Sequence, residues 1–95
     1  MKLIKVNLGR YINPGNYGYY ELIRKSDKTG MLLVFGTNEE DSMTVATITH
    51  ETLNIKEIEQ KALELYDRLI DFLAGDESGV FDLRAEYERV FGERD

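Results

Sequence analysis

The sequence predicts an α+β fold in a single domain that spans residues 1–95. Up to about residue 53, apolar residues come in short runs broken by Gly, Pro, Asn and Asp. From residue 54 onward they recur at helical spacing almost to the end. We therefore expect a four-stranded antiparallel β-meander over residues 2–52 and a long amphipathic helix over 55–74, packed on one face of the sheet. A short C-terminal helix should follow over 80–91.

Four segments of the first half are predicted to be strands. Lys2–Leu8 alternates between apolar and polar residues, and Met31–Phe35 is a continuous apolar run between two glycines. Tyr19–Lys25 and Met43–Thr52 are rich in aromatic or β-branched residues. Asn13-Pro14-Gly15-Asn16 predicts a type II turn. Alternation leaves the buried faces of the second and fourth strands open.

The start of the long helix is the clearest local signal. Asn54 is a favourable N-cap, and Glu57 three residues later completes a capping-box pair. The apolar stripe of this helix then steps by three and four residues, and further apolar positions widen it (Ile55, Ile58, Ala62, Leu65, Leu69 and Phe72, with Leu63, Tyr66, Ile70 and Leu73). Gly75 and Gly92 are expected to end the two helices.

Composition excludes several classes of site. The chain has no cysteine, so a disulfide, a thiol nucleophile and a thiolate metal site are excluded. Its longest apolar run has the five residues Met31–Phe35, far short of a membrane span. We expect a cytoplasmic protein that binds no membrane, metal ion or cofactor.

Charge is unevenly distributed along the chain. The net charge is −6. Residues 1–30 carry six Lys or Arg against two acids, a net +4, whereas residues 31–95 carry a net −10. This asymmetry predicts two electrostatically different surfaces, of which the acidic one would attract a basic partner. Solvation alone is the alternative explanation, because many acidic helices serve only to keep a protein dispersed.

The first functional hypothesis is a small protein-binding module that is not an enzyme. Its acidic helical surface would dock on a protein with a basic surface, and in the sharpest form it would act as an inhibitor that mimics a nucleic-acid backbone. The acids assigned to this surface are Glu57, Glu64, Asp67, Asp71, Asp76, Glu77, Glu86 and Glu88.

Two alternatives use other parts of the chain. Tyrosines and basic residues cluster in the predicted N-terminal hairpin, where they could stack and grip single-stranded nucleic acid (Arg10, Tyr11, Tyr17, Tyr19, Arg24 and Lys25). Some of these rings could instead face the core, because Tyr is a preferred strand residue. A small enzyme would have to use His50, the only histidine, but Glu51 is its neighbour in the chain and would point to the opposite face of a strand.

The second helix suggests a further contact. Phe81, Tyr87 and Phe91 are bulky residues in a short segment. If they remain exposed after folding, they would mark a homodimer interface or a contact with another partner.

Overall fold

The computed structural model describes residues 1–92 and confirms the α+β class. Its strands form two three-stranded sheets, so the predicted four-stranded meander is wrong. In chain order the elements are β1 (Lys2–Asn7), β2 (Arg10–Ile12), β3 (Tyr19–Arg24), β4 (Met31–Gly36), β5 (Ser42–Ile48), α1 (Ile55–Ala74), β6 (Gly79–Asp82) and α2 (Leu83–Phe91). The first sheet has the order β2-β1-β6 and the second has the order β3-β4-β5.

The first sheet joins distant parts of the chain. β1 pairs antiparallel with β2 and parallel with β6. Ile4 lies opposite both Ile12 and Phe81, and all three side chains are buried. Because burial of an apolar side chain contributes roughly 1.5–3 kcal/mol, this cross-strand row holds the sheet to the core.

β6 replaces the first turn of the predicted C-terminal helix. The N–H group of Gly79, whose φ is +144°, donates to the carbonyl oxygen of Met1 at 3.0 Å. Val80 and Phe81 then extend along β1, as suits a β-branched and an aromatic residue. The helix begins only at Leu83, where the Asp82 side chain accepts the N–H of Ala85 at 3.1 Å.

The turn at Asn13–Asn16 also differs from the prediction. Pro14–Asn16 forms one turn of 3₁₀-helix, and the Asn13 side chain accepts the N–H of Gly15 at 2.9 Å. Among residues 1–92 the one glycine with positive φ is Gly79, so Gly15 lacks the conformation that a type II turn needs. The chain leaves this turn into the second sheet and does not return along β1.

The second sheet is the part of the meander that the sequence predicts correctly. Tyr20 lies opposite Phe35, and Leu22 opposite Leu33, so these side chains share the inner face. A β-bulge interrupts β5 at Val45, because Leu33 lies opposite Ala46 and the next residue, Val34, lies opposite Thr44. The bulge lets residues three apart, Val45 and Ile48, both become buried.

Helix α1 covers the inner face of the second sheet. Asn54 and Glu57 form the predicted capping box, with bonds of 2.9 and 3.1 Å. The buried side chains of the helix meet Leu22, Leu33 and Ile48 of the sheet. Leu63, which the sequence places in the apolar stripe, is 47% exposed on the other side of the helix.

Helix α2 packs beside β1 and α1 and ends at Gly92. Leu83, Val90 and Phe91 are buried. No helix in the described part of the chain is long and apolar enough to cross a membrane.

Candidate functional site

The eight acids predicted to form the acidic surface fall into two groups. Glu57 is held in the capping box, Glu86 contacts both Arg68 and Arg89 at 3.4 and 3.1 Å, and Glu88 lies 3.9 Å from Arg84. The other five are exposed and make no ion pair or side-chain hydrogen bond within residues 1–92: Glu64, Asp67, Asp71, Asp76 and Glu77. We call these five residues the free acidic strip.

The free acidic strip is left unpaired because two cations of α1, Lys61 and Arg68, contact α2 instead. The ammonium of Lys61 donates to the carbonyl oxygen of Val90 at 3.3 Å, and Arg68 reaches Glu86 of α2. The helical pairs Glu57–Lys61 and Glu64–Arg68 that the spacing favours are therefore not formed. Both cations tie α1 to α2, and the carboxylates on the outer side of α1 are left without a neutralising neighbour.

The geometry of the strip follows from helical spacing. Glu64, Asp67 and Asp71 are separated by three and four residues, so they lie on one side of α1. Asp76 and Glu77 follow in the loop after the helix. Leu63 lies one turn before Asp67 and gives the same side of the helix an exposed apolar side chain. Sequence reasoning missed Leu63, although its neighbours one turn away on either side, Gln60 and Asp67, are polar.

The tyrosines of the alternative hairpin site are divided between different environments. Tyr17 is half-buried, and its ring centroid lies 5.9 Å from that of Phe35. Tyr11, in the first sheet, is 50% exposed, and the Lys5 ammonium lies 6.0 Å from its ring centroid. Tyr19, in the second sheet, donates its hydroxyl hydrogen to the Glu21 carboxylate. That bond, with smaller effects of burial and nearby charge, raises the pKa of Tyr19 to about 12.

Part of the positive charge of that hairpin is already paired. Arg24 contacts Glu59 of α1 at 2.6 Å, and Lys25 lies 3.7 Å from Asp27. Arg10 is exposed, but as the strand residue before Tyr11 it points to the opposite face of the first sheet. This arrangement offers one exposed ring, Tyr11, with one cation, Lys5, beside it, which is a smaller surface than the sequence cluster suggested.

His50 lies in a structural stack of rings. Its Nδ1 accepts the N–H of Thr52 at 3.2 Å, and its ring stacks on Phe91 at a centroid distance of 6.0 Å. Phe91 in turn stacks on Tyr87 at 4.4 Å. No carboxylate of residues 1–92 is hydrogen-bonded to the imidazole, and His50 lies in an open depression whose lining includes Glu51.

The titratable side chains of residues 1–92 are all at least partly exposed. Every buried residue in that range is either apolar, a proline or a glycine, so none supplies a buried titratable group. No group of three His, Asp or Glu side chains there is placed to hold a metal ion.

The residues of the predicted dimer contact lie on β6 and α2. Phe81 packs on Phe72 at a centroid distance of 5.7 Å and is 7% exposed, while Phe91 is 4% exposed. Tyr87 is half-buried, and its hydroxyl donates to the carbonyl oxygen of Thr49 at 2.6 Å. Both phenylalanines belong to the hydrophobic core, so the exposure that would mark a dimer interface is missing for them.

No protein-family model matches the chain, and comparisons with curated proteins and with solved structures found no significant match.

Proposed function

We propose that this protein is a small, non-catalytic binding module whose acidic helical surface docks on a basic surface of another protein. The observation that carries the proposal is the redirection of Lys61 and Arg68 toward α2, which leaves the free acidic strip unneutralised. Carboxylates that are exposed and unpaired keep their full charge available for a partner.

The exposed Leu63 supports a protein partner. Protein interfaces combine an apolar contact with a charged rim, and Leu63 lies one turn from Asp67 on the outer side of α1. Long-range attraction by the strip would accelerate encounter, and salt would weaken it. In the sharpest form of the proposal, the strip imitates the phosphates of a nucleic acid and blocks a nucleic-acid-binding protein.

Capture of a partner from a lysate tests the proposal. The probe is the immobilised chain, compared with the triple variant Glu64→Gln, Asp67→Asn, Asp71→Asn. A matched control neutralises three exposed acids elsewhere, Glu39→Gln, Glu40→Gln, Glu51→Gln. Both variants change the net charge from −6 to −3.

We expect a partner that is retained at low salt, released at high salt, lost by the strip variant and kept by the control. Release by added duplex DNA would support the nucleic-acid mimic. Equal retention by both variants, or capture that is insensitive to salt, contradicts docking through the strip.

A further inference from the structure

The free edge of β5 is unlike the other sheet edges within residues 1–92. β2 and β6 are short and carry Arg10 and Asp82, and β3 carries Glu21 and Arg24. β5 has seven residues and contains neither a charged residue nor a proline. Charges and short length are the usual protection of an edge strand against pairing, so β5 is the least protected edge.

Residues of β4 alternate between hydrogen bonds to β3 and hydrogen bonds to β5, and the phase of this alternation shows which peptide groups of β5 point away from β4. The N–H of Lys25 donates to the carbonyl oxygen of Gly30 at 2.9 Å, and the same phase turns the peptide groups of Leu32 and Val34 toward β3. Thr47 and Thr44 lie opposite these two residues. Their own N–H and C=O groups therefore point away from β4.

Tyr87 gives independent support for this phase. Its hydroxyl reaches the carbonyl oxygen of Thr49, two residues beyond Thr47, from outside the sheet. The same contact closes the edge at Thr49. A strand that adds to β5 therefore has the peptide groups of Thr44 and Thr47 to pair with.

An apolar groove of about 210 Å³ lies beside this edge. Its apolar lining includes Ile48 of β5, Val6 of β1, and Leu65 and Leu83 of the helices, and Arg84, Tyr87, Thr47 and Thr49 also border it. At the other end of β5, Met43 is 40% exposed and shares the inner face with its partner Phe35. β5 therefore has an exposed apolar side chain at Met43, and an open groove lies beside Ile48, five residues later.

We propose that two copies of this chain form a two-fold symmetric dimer in which the β5 strands pair antiparallel, with Thr44 of each copy opposite Thr47 of the other. This register joins the outward peptide groups of Thr44 and Thr47 of both copies in two hydrogen-bonded pairs. It also places Met43 of each copy opposite Ile48 of the other, on the same face, beside the groove. We assign the groove to a second copy because β5 supplies both Met43 and the groove beside Ile48. A two-fold interface requires such a self-complementary surface.

Charge opposes any dimer of this chain, and least a dimer formed through β5. Two copies that each carry a net −6 repel one another, and an uncharged strand allows the closest approach with the least repulsion. Added salt should therefore strengthen the dimer, since it screens the remaining repulsion. Docking of the free acidic strip on a basic partner has the opposite salt dependence, so failure of one proposal is distinguishable from failure of the other.

Sedimentation equilibrium of the full chain, from low micromolar to millimolar concentration, tests the dimer. The mass should rise from 11.0 kDa toward twice that value, and more readily at high salt. Met43→Lys places a charge opposite the groove, and Thr47→Pro removes one outward N–H without removing a bond to β4. Ile23→Lys is the matched control, because Ile23 is 36% exposed on β3 and gains the same charge.

We expect each β5 variant to weaken the dimer by about tenfold or more, and the control by less than about twofold. Circular dichroism spectra like that of the wild type establish that the variants are folded. A wild-type chain that stays monomeric at millimolar concentration overturns the proposal. So does a dimer that Met43→Lys and Ile23→Lys weaken equally, because that result places the interface elsewhere.

Discussion

The Nζ atom of Lys2 lies 2.9 Å from the carbonyl oxygen of Leu73 and also donates to that of Gly75. The same ammonium lies 5.6 Å from the ring centroid of Phe72. The last turn of α1 contains no basic residue of its own. A cation from the first strand therefore interacts with the negative end of the longest helix and links two elements far apart in the chain.

Replacing Lys2 by Met should lower the free energy of unfolding by about 1–2 kcal/mol, because two helix-end carbonyls lose a charged donor. Urea denaturation measures the change, and amide exchange should quicken in the last turn of α1. Lys28→Met is the control, since the exposed Lys28 side chain makes no hydrogen bond or ion pair in the described range. An equal effect of both substitutions would show that the Lys2 contacts contribute nothing specific.

Replacing Asn54 by Ala should cost about 1 kcal/mol, because the side-chain oxygen that accepts the N–H of Glu57 is lost, while the backbone N–H of residue 54 can still donate to the Glu57 carboxylate. Gln60→Ala, in the exposed middle of the same helix, should be neutral or slightly stabilising, since Ala has the higher helix propensity. Thermal unfolding followed by circular dichroism compares the two variants. A lower midpoint for Gln60→Ala than for Asn54→Ala would contradict the role of the cap.

Phe91→Ala should lower the free energy of unfolding by about 3–5 kcal/mol, because Phe91 is buried between His50 and Tyr87. Leu63→Ala removes a large apolar side chain that is 47% exposed, and its effect on stability should be within about 0.5 kcal/mol. Denaturant titration of both variants checks the contrast. Similar small effects would mean that Phe91 lies outside the core.

The bond from Tyr19 to Glu21 makes a prediction about alkaline pH. Because the pKa of Tyr19 is raised from 10.0 to about 12, the bond stabilises the fold fully below pH 10, and this contribution is lost as pH rises through about 12. Glu21→Gln removes the carboxylate and should bring the Tyr19 midpoint down toward its ordinary value. The chemical shift of the ring carbon that bears the hydroxyl follows the titration.

Glu40→Gln is the control for that titration, because Glu40 is an acid on the loop that follows β4 and makes no contact with the Tyr19 hydroxyl. It should leave the midpoint unchanged. A midpoint that both substitutions lower equally would assign the shift to overall charge and not to the hydrogen bond.

Local signals in the sequence predict the elements whose causes are local. The alternation of Lys2–Leu8 and the apolar run Met31–Phe35 correspond to β1 and β4, and Asn54 with Glu57 fixes the start of α1. Three of the five acids without partners, Glu64, Asp67 and Asp71, were predictable from the sequence as polar positions of a helix. The sequence did not predict which of the helical acids remain unpaired. Arg68 contacts Glu86 on α2 and not Glu64 on its own helix.

The errors concern partners that are distant in the chain. Val80 and Phe81 fit the helical spacing of the segment that follows, and the parallel neighbour that makes them a strand is β1, more than 70 residues earlier. Asp82 was the local signal that could have corrected the boundary, because it is a favourable N-cap. The faces of β5 were ambiguous because a bulge breaks the period of two, and the bulge itself has no clear sequence mark.

The parallel pairing of β1 with β6 has a consequence for synthesis on the ribosome. The second sheet is made of consecutive hairpins and has all its strands once residue 48 has emerged. The first strand to emerge must wait for residues 79–82 before its parallel neighbour exists. Closing so long a loop is entropically costly and slows folding. The nascent chain should therefore acquire protease resistance in its middle before its amino-terminal segment is protected.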